Sequence, residues 1–382
     1  MQIDALAKKK IREALAPCVL GALVFFLFFQ QRFHLAHFFV FQVRDLQRFA
    51  WVAAGNPIFW GPEATGGGNL PGGFFYWIGG GLLRLNFGWR DLVGVLVASF
   101  TGSIFIVYFF LKKVFSSIEA MIGSFLYLTS FGAAWTLWQN NNSSFAFITV
   151  AISYVYLIKA FSEKRERGNL SWLFFNLFLG LSVQIHYSGA ILFVAALALQ
   201  LGGPQLGASR LSKGSFLVGL APLFFLLALP ALLGSQIEGS VVAMRPSGQG
   251  SIFSAIPSLI HQIKKDAGSD FKCIIFILIS LLPIPVLLGL FGRRADLDSP
   301  GKRENSDLRK MLAAITWICL IPASYAAFRW IGFRYIPPFA ISSSVFAAFM
   351  HQRLILGPGR RLYFGVLLIA FFFLLITLIV WG

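Results

Sequence analysis

Charge is what this sequence has least of. Only 12% of its 382 residues are charged, against about 25% in a soluble globular domain. Together with a mean hydropathy of +0.74, that scarcity excludes an ordinary water-soluble protein. Cysteine is scarce too. Cys18, Cys273 and Cys319 all lie in or beside apolar runs, without the spacing of metal ligands or of a disulfide framework. There is no HExxH, no CxxC and no acidic cluster that would cage a cation, so no metal and no cofactor are expected. The GxSxG elbow of a hydrolase is missing. Internal repeats are missing as well, and so is a small-residue cleavage site after the basic N-terminus. The first apolar run therefore reads as a retained helix rather than a signal peptide. The longest polar intervals are roughly 30 residues, too short to bury a core of their own. One transmembrane domain over residues 1–382 is expected, with no separate soluble domain.

What is present is a series of apolar runs of about 20 residues, the length that crosses a bilayer as a helix. They fall at about 15–36, 91–111, 118–138, 144–161, 170–184, 188–202, 214–234, 272–291, 311–328, 335–350 and 362–381. The fold class is all-α: a polytopic membrane protein of about 11 transmembrane helices. Two runs, 170–184 and 188–202, are short and read as a broken pair. The formal charge of +17 invites a nucleic-acid partner, but the basic residues sit in short clusters between apolar runs. That is the pattern of anchors beside anionic lipid, and no nucleic acid is expected.

The positive-inside rule gives the layout. With a cytoplasmic N-terminus, most Lys and Arg fall in cytoplasmic loops: Lys8–Lys10, Lys112-Lys113, Lys159 to Arg167, Arg210 to Lys213, Arg293 to Lys310, and Arg353 to Arg361. Two long outer loops then emerge, about 37–90 and 235–271. The outer side keeps a small basic surplus, which points weakly to an anionic ligand such as lipid phosphate. Multi-pass insertion in the inner (plasma) membrane, with the functional site on the periplasmic or outer face, is the expected location.

The first outer loop carries the candidate chemistry. Residues 42–53, QVRDLQRFAWVA, place Leu46, Phe49, Ala50 and Ala53 on one helical face and Arg44, Gln47 and Arg48 on another, as in a helix lying in the interface. Residues 74–87 are apolar but too short and Gly-rich for a span, and read as a second interfacial or re-entrant helix. Asp45, at the membrane edge, has the chemistry of a general base, kept ionised by Arg44 and Arg48. Equally, it could do no more than pair with Arg48 one turn on. The loop 55–73 is rich in Gly and Pro and brings backbone close to a ligand, or is simply a flexible surface loop. Glu63 within it is a rival base.

Further along, Asn140 and Asn142 sit in Trp138 to Ser144 between two spans. Their amides suit sugar hydroxyls or phosphate oxygens, although a cap and turn would use the same residues. His186, in Gln184-Ile185-His186-Tyr187-Ser188, lies between the two short runs, where a titratable group is a functional candidate. Arg329 and Arg334, in FRWIGFRYIPP, sit at the outer end of a span. Guanidinium there pairs naturally with phosphate, or snorkels to the interface.

The order of these elements resembles the bacterial GT-C membrane glycosyltransferases of the protein-mannosyltransferase type (family 39-like). The resemblance rests on several segments taken in order along residues 1–350. A basic N-terminus and one span precede Arg44-Asp45. Gly61-Pro62 and the stretch Pro71-Gly-Gly-Phe-Phe-Tyr-Trp77 follow. Trp138 to Asn142, Gln184-Ile-His186, and Arg334-Tyr335 with Pro337 complete the series. The chain departs from the pattern at Phe41, where many members carry an acid three residues before the Arg. The resemblance implies a GT-C fold. It also implies transfer of a sugar from a polyprenyl-phosphate-linked donor to a glycan, lipid or protein acceptor. Asp45 would be the base; Arg44, Glu63, Asn140, Asn142, His186, Arg329 and Arg334 would contact the substrates. The alternative from another class is a lipid or small-solute transporter or flippase without glycosyl transfer. Transporters of that kind usually show repeat symmetry, and this sequence shows none.

Overall fold

The computed structural model describes residues 21–22, 40–63, 69–129, 142–237 and 307–316, together with isolated positions between 318 and 348. Helix α1 (Val40–Ala53) opens the described part of the segment before the first long apolar helix. A strand β1 (Trp60–Glu63) and a strand β2 (Asn69–Pro71) follow, then helix α2 (Phe74–Arg84). The two strands pair antiparallel, Trp60 opposite Pro71 and Glu63 opposite Asn69, with an irregularity between. The expectation of an all-α chain is amended by this hairpin. The two strands pack on the helices that flank them, while residues 64–68 between them lie outside the described residues.

The buried face of α1 differs from the face expected. Asp45 and Phe49, four residues apart and so on one face, are the buried pair, while Ala50 is exposed. The cause is α2. Its glycines leave room for α1 side chains: a Cβ at Gly79 would enter the Phe49 ring, and one at Gly80 would come within 2.5 Å of Val52. Phe49 packs edge-on against Phe75 with ring centroids 5.2 Å apart. The glycines that made 74–87 too weak for a span are the ones that let two short helices touch closely.

Helix α3 (Trp89–Leu111) is capped in its first turn by Asp91, whose carboxylate accepts the Gly88 N–H at 2.7 Å; an acid there also complements the helix dipole. Its 23 residues reach about 34 Å, enough for the hydrocarbon core. Helix α4 (Ser117–Thr129) returns. Helices α5 (Asn142–Ser162) and α6 (Arg165–Ile185) form a tight antiparallel pair. Phe147, Val150, Leu157 and Phe161 of α5 share one buried core with Trp172, Phe175 and Leu179 of α6. Among the described residues four helices are long and apolar enough to cross a membrane: 90–111, 145–162, 165–185 and 213–230. Predicted spans at 91–111, 144–161 and 214–234 correspond directly. The 170–184 run is corrected: α6 starts five residues earlier, at Arg165, and has full spanning length because its first turn is polar and escaped a hydropathy count. The break falls after it. His186 is extended, Tyr187–Ala190 form a 3-10 turn, and α7 (Ile191–Gly202) is short. Helix α8 (Lys213–Gly219) runs on through Leu220 into α9 (Ala221–Ile237). Predicted spans at 272–291 and 362–381 lie outside the described residues, as does most of 15–36.

The bundle has two chemically different ends. Lys112-Lys113, the Lys159–Arg167 turn and Arg210–Lys213 follow or precede helices at one end. The segment from 307 joins them there, with the Arg309 guanidinium 6.0 Å from the Phe115 ring centroid. At the opposite end α1, the hairpin and α2 cap the bundle. Phe49, Phe75 and Tyr76 form a cluster with Leu92 and Leu96 of α3, Ala146 of α5 and Ile185 of α6. Among the described residues, the basic clusters thus share one end of the bundle.

Candidate active site

Asp45 lies beneath this cap, 5% exposed. Its Oδ1 accepts from the Tyr76 hydroxyl at 2.9 Å and from Arg44 Nε and Nη2 at 3.2 and 3.1 Å. The pairing with Arg48 one turn on is not formed. Arg48 Nη1 instead donates to the Tyr76 hydroxyl at 2.7 Å and reaches the Gly61 carbonyl at 3.5 Å, and its guanidinium stands 5.1 Å from the Tyr76 ring centroid. Adjacent residues on a helix do not normally face each other. Arg44 reaches Asp45 by folding its long side chain, half-exposed, back over the carboxylate.

Arg44 and Arg48 both favour the ionised form of Asp45, as expected, and burial opposes them. Burial is the larger influence and pushes the carboxyl above its ordinary range, against the Arg44 charge, the Tyr76 hydrogen bond and the Arg48 charge. Taking a carboxylate out of water costs more than one half-exposed guanidinium returns. Tyr76, fully buried, is pushed up as well, by burial first and then by the Asp45 charge, so its hydroxyl stays protonated and remains a donor. A carboxylate whose pKa is raised is a stronger proton acceptor than a free aspartate.

Asp45 also lines a small, partly open cleft of about 30 Å³. Phe49, Phe75, Ile78, Leu82, Leu92, Val95, Leu96 and Phe145 supply apolar walls from α1, α2, α3 and α5. A single carboxylate thus faces apolar walls at the end of the bundle.

His186 caps the end of α6 and is 3% exposed, its backbone N–H donating to the Ser182 carbonyl at 2.7 Å. Gln184, also buried, donates to the Leu226 carbonyl of α9. The hairpin rests on that residue. Gly72 has φ +93°, and a Cβ there would fall inside the Gln184 carboxamide. Through Gly72 the strand-turn of the cap meets the same turn of α6 that carries His186, and Ile185 between them packs with Phe49 and Tyr76.

The remaining expected residues are not brought into this geometry. Glu63 is in β1 opposite Asn69, and Asn142 is the first residue of α5; nothing is described of either side chain. Asn140, Arg329 and Arg334 lie outside the described residues. Two features escaped the sequence reading. One is the hydroxyl of Tyr76, for which the available signal was that a buried tyrosine needs a hydrogen-bond partner. The other is the apolar cleft, which four elements build together and no single one announces.

Residues 74–233 match the family model of the dolichyl-phosphate-mannose-protein mannosyltransferases. The matched stretch begins after Asp45 and takes in Tyr76, Gln184 and His186. No curated protein matches the chain. The family implies a membrane glycosyltransferase that draws on a polyprenyl-phosphate sugar donor, and the apolar helices agree with a membrane location. Over residues 74–233 the chain is similar to the GT-C membrane glycosyltransferases of the protein-mannosyltransferase type, the family to which the order of its motifs had pointed.

Proposed function

We propose that this protein transfers a sugar from a polyprenyl-phosphate donor to a lipid, polysaccharide or protein acceptor at the outer face of the plasma membrane, with Asp45 as general base. The observation that carries the reading is the Asp45 carboxylate itself. It is buried, gripped on one oxygen by Tyr76 and Arg44, and set in an apolar cleft at the end of the bundle away from the basic loops. In the reaction the acceptor hydroxyl or amine attacks the anomeric carbon and Asp45 takes its proton. The bond to the donor phosphate breaks, and the lipid phosphate leaves with the electron pair. Basic side chains offset that charge, with His186, Arg329 and Arg334 the candidates by type and Arg44 already at the carboxylate. Glu63 is the rival base, and Asn140 and Asn142 are candidate sugar contacts. The N-terminus is cytoplasmic in this arrangement, because the basic end of the bundle faces anionic lipid and the positive-inside side.

The test compares lipid-linked and exported glycans of a deletion strain with those of the strain complemented by wild type or by Asp45→Asn. The deletion should lack one sugar addition, wild type should restore it, and Asp45→Asn should not, while accumulating in the membrane at normal level. Full restoration by Asp45→Asn would remove Asp45 from the mechanism. Movement of a lipid or solute across sealed vesicles with no glycan change would favour a transporter.

A further inference from the structure

An aspartate on a helix does not aim itself. Its terminal torsion is broad, so the edge a carboxylate presents is set by its partners. Here all three donors converge on Oδ1, although an ionised carboxylate offers about four lone-pair sites over two oxygens. Arg44 places Nε and Nη2 on the same oxygen, unlike the fork that spans both. No donor among the described residues is within hydrogen-bond reach of Oδ2.

The direction of the Tyr76 hydrogen bond is fixed by chemistry. Arg48 can only donate, so at 2.7 Å the Tyr76 oxygen must accept from it. The one hydroxyl proton of Tyr76 then goes to Asp45 at 2.9 Å. The ring cannot move to relieve this arrangement. It is fully buried and packs against Phe49 and Phe75, with centroids 5.9 and 5.6 Å away. Arg48 is itself held over that ring and against Gly61 of the hairpin. Arg48, Tyr76 and Asp45 thus form an ordered relay from the hairpin to the carboxylate.

We propose that Tyr76, backed by Arg48, is the positioning residue of this site: it holds Oδ1 of Asp45 and so leaves Oδ2 as the edge that receives the acceptor proton. The proposal rests on Asp45 being the base. It assigns the buried tyrosine of the cap a role in proton transfer rather than in packing alone. Among the described residues, the groups facing Asp45 are few. Arg44 and Arg48 come from its own helix and Tyr76 from α2, while α3 and α5 contribute only Leu92, Val95, Leu96 and Phe145 to the cleft.

Dicyclohexylcarbodiimide, a membrane-soluble reagent to which protonated carboxyls add to form a stable N-acylurea, reads the site without any substrate. The full-length protein in nanodiscs is labelled across a pH series, and the Asp45 adduct is quantified by peptide mass spectrometry. Tyr76→Phe keeps the ring and removes the donor. A hydrogen bond to a charged group is worth about the free energy of a tenfold change or more. Labelling of Asp45 at a fixed pH above the wild-type midpoint should therefore rise roughly tenfold, with the midpoint moved upward. In membranes the acid limb of the transfer-rate profile should move the same way, with kcat reduced more than KM. A folded Tyr76→Phe protein with wild-type labelling and an unmoved rate profile overturns the positioning role. Should Tyr76→Phe fail to fold, Arg48→Gln is read instead, since it weakens the same hydroxyl from behind; a smaller rise in labelling supports the relay, and none overturns it. Normal sugar transfer by Asp45→Asn would overturn the base assignment and this role with it. Loss of transfer in Asp45→Asn with unchanged labelling in Tyr76→Phe would overturn the Tyr76 role alone.

Discussion

Replacing Gly72 by alanine should loosen the whole cap, and the size of the effect can be worked out. Gly72 has φ +93°, a backbone conformation that costs an L-residue about 1–2 kcal/mol. The added Cβ would also occupy the place of the Gln184 carboxamide. Gln184 would have to swing away and would lose its hydrogen bond to the Leu226 carbonyl. Leaving buried polar groups without partners costs about 1–3 kcal/mol. The sum is about 2–5 kcal/mol, a fall of several degrees in melting temperature. Tryptophan fluorescence during heating in nanodiscs measures it, and limited proteolysis of the 55–73 segment should show earlier cutting. Gly81→Ala is the matched control. It lies in α2 with nothing within 4 Å of its added Cβ, and should gain about 0.5–1 kcal/mol. Gln184→Ala in the Gly72→Ala background should recover the steric part and leave the backbone part. If Gly72→Ala melts with wild type, or the double variant recovers nothing, the hairpin is not seated on Gln184 as the structure places it.

Three other outcomes are expected. Asp45→Asn should reduce transfer by about 10²–10⁴-fold, the range of a lost general base, measured as product per membrane-embedded protein. The same variant should change stability with a definite sign. The folded carboxyl lies above its ordinary range because of burial, so wild type keeps full stability below the unfolded value and loses it as pH rises through the folded one. Asp45→Asn should then melt higher than wild type near neutral pH and equally in acid; a variant that melts lower at neutral pH would contradict the dominance of burial. Gly79→Ala should lower both stability and transfer by forcing Phe49 off α2, with thermal melts and transfer measured together; an effect on neither would mean that the glycine seam does not set the α1–α2 distance. Glu63→Gln should retain most transfer if Asp45 is the base, and a loss matching that of Asp45→Asn would make Glu63 a necessary partner.

Local pattern decided much of the architecture. Runs of about 20 apolar residues cannot stay in water and, in lipid, must satisfy their backbone as helices. The spans at 91–111 and 144–161 were therefore legible to within a residue or two. The alternating basic clusters gave the two ends. The polar first turn of α6 hid its start at Arg165, because hydropathy averages over residues that a helix can still contain. The hairpin was hidden for another reason: Gly and Pro announce a turn, but whether that turn pairs two strands depends on the surface it rests on, here the Gln184 turn of α6.

The sequence by itself determined that this chain belongs in a membrane, that Arg44-Asp45 is a candidate for its chemistry, and which family its motifs resemble. Those are properties of composition, period and order, and each can be read one segment at a time. Only the tertiary structure decided that Asp45 is buried, that it pairs with Arg44 and Tyr76 rather than with Arg48, and that burial outweighs the neighbouring positive charge. The physical reason is that burial and hydrogen-bond choice belong to no single helix. They arise where α1 settles onto the glycines of α2 and both are pressed against α3, α5 and α6.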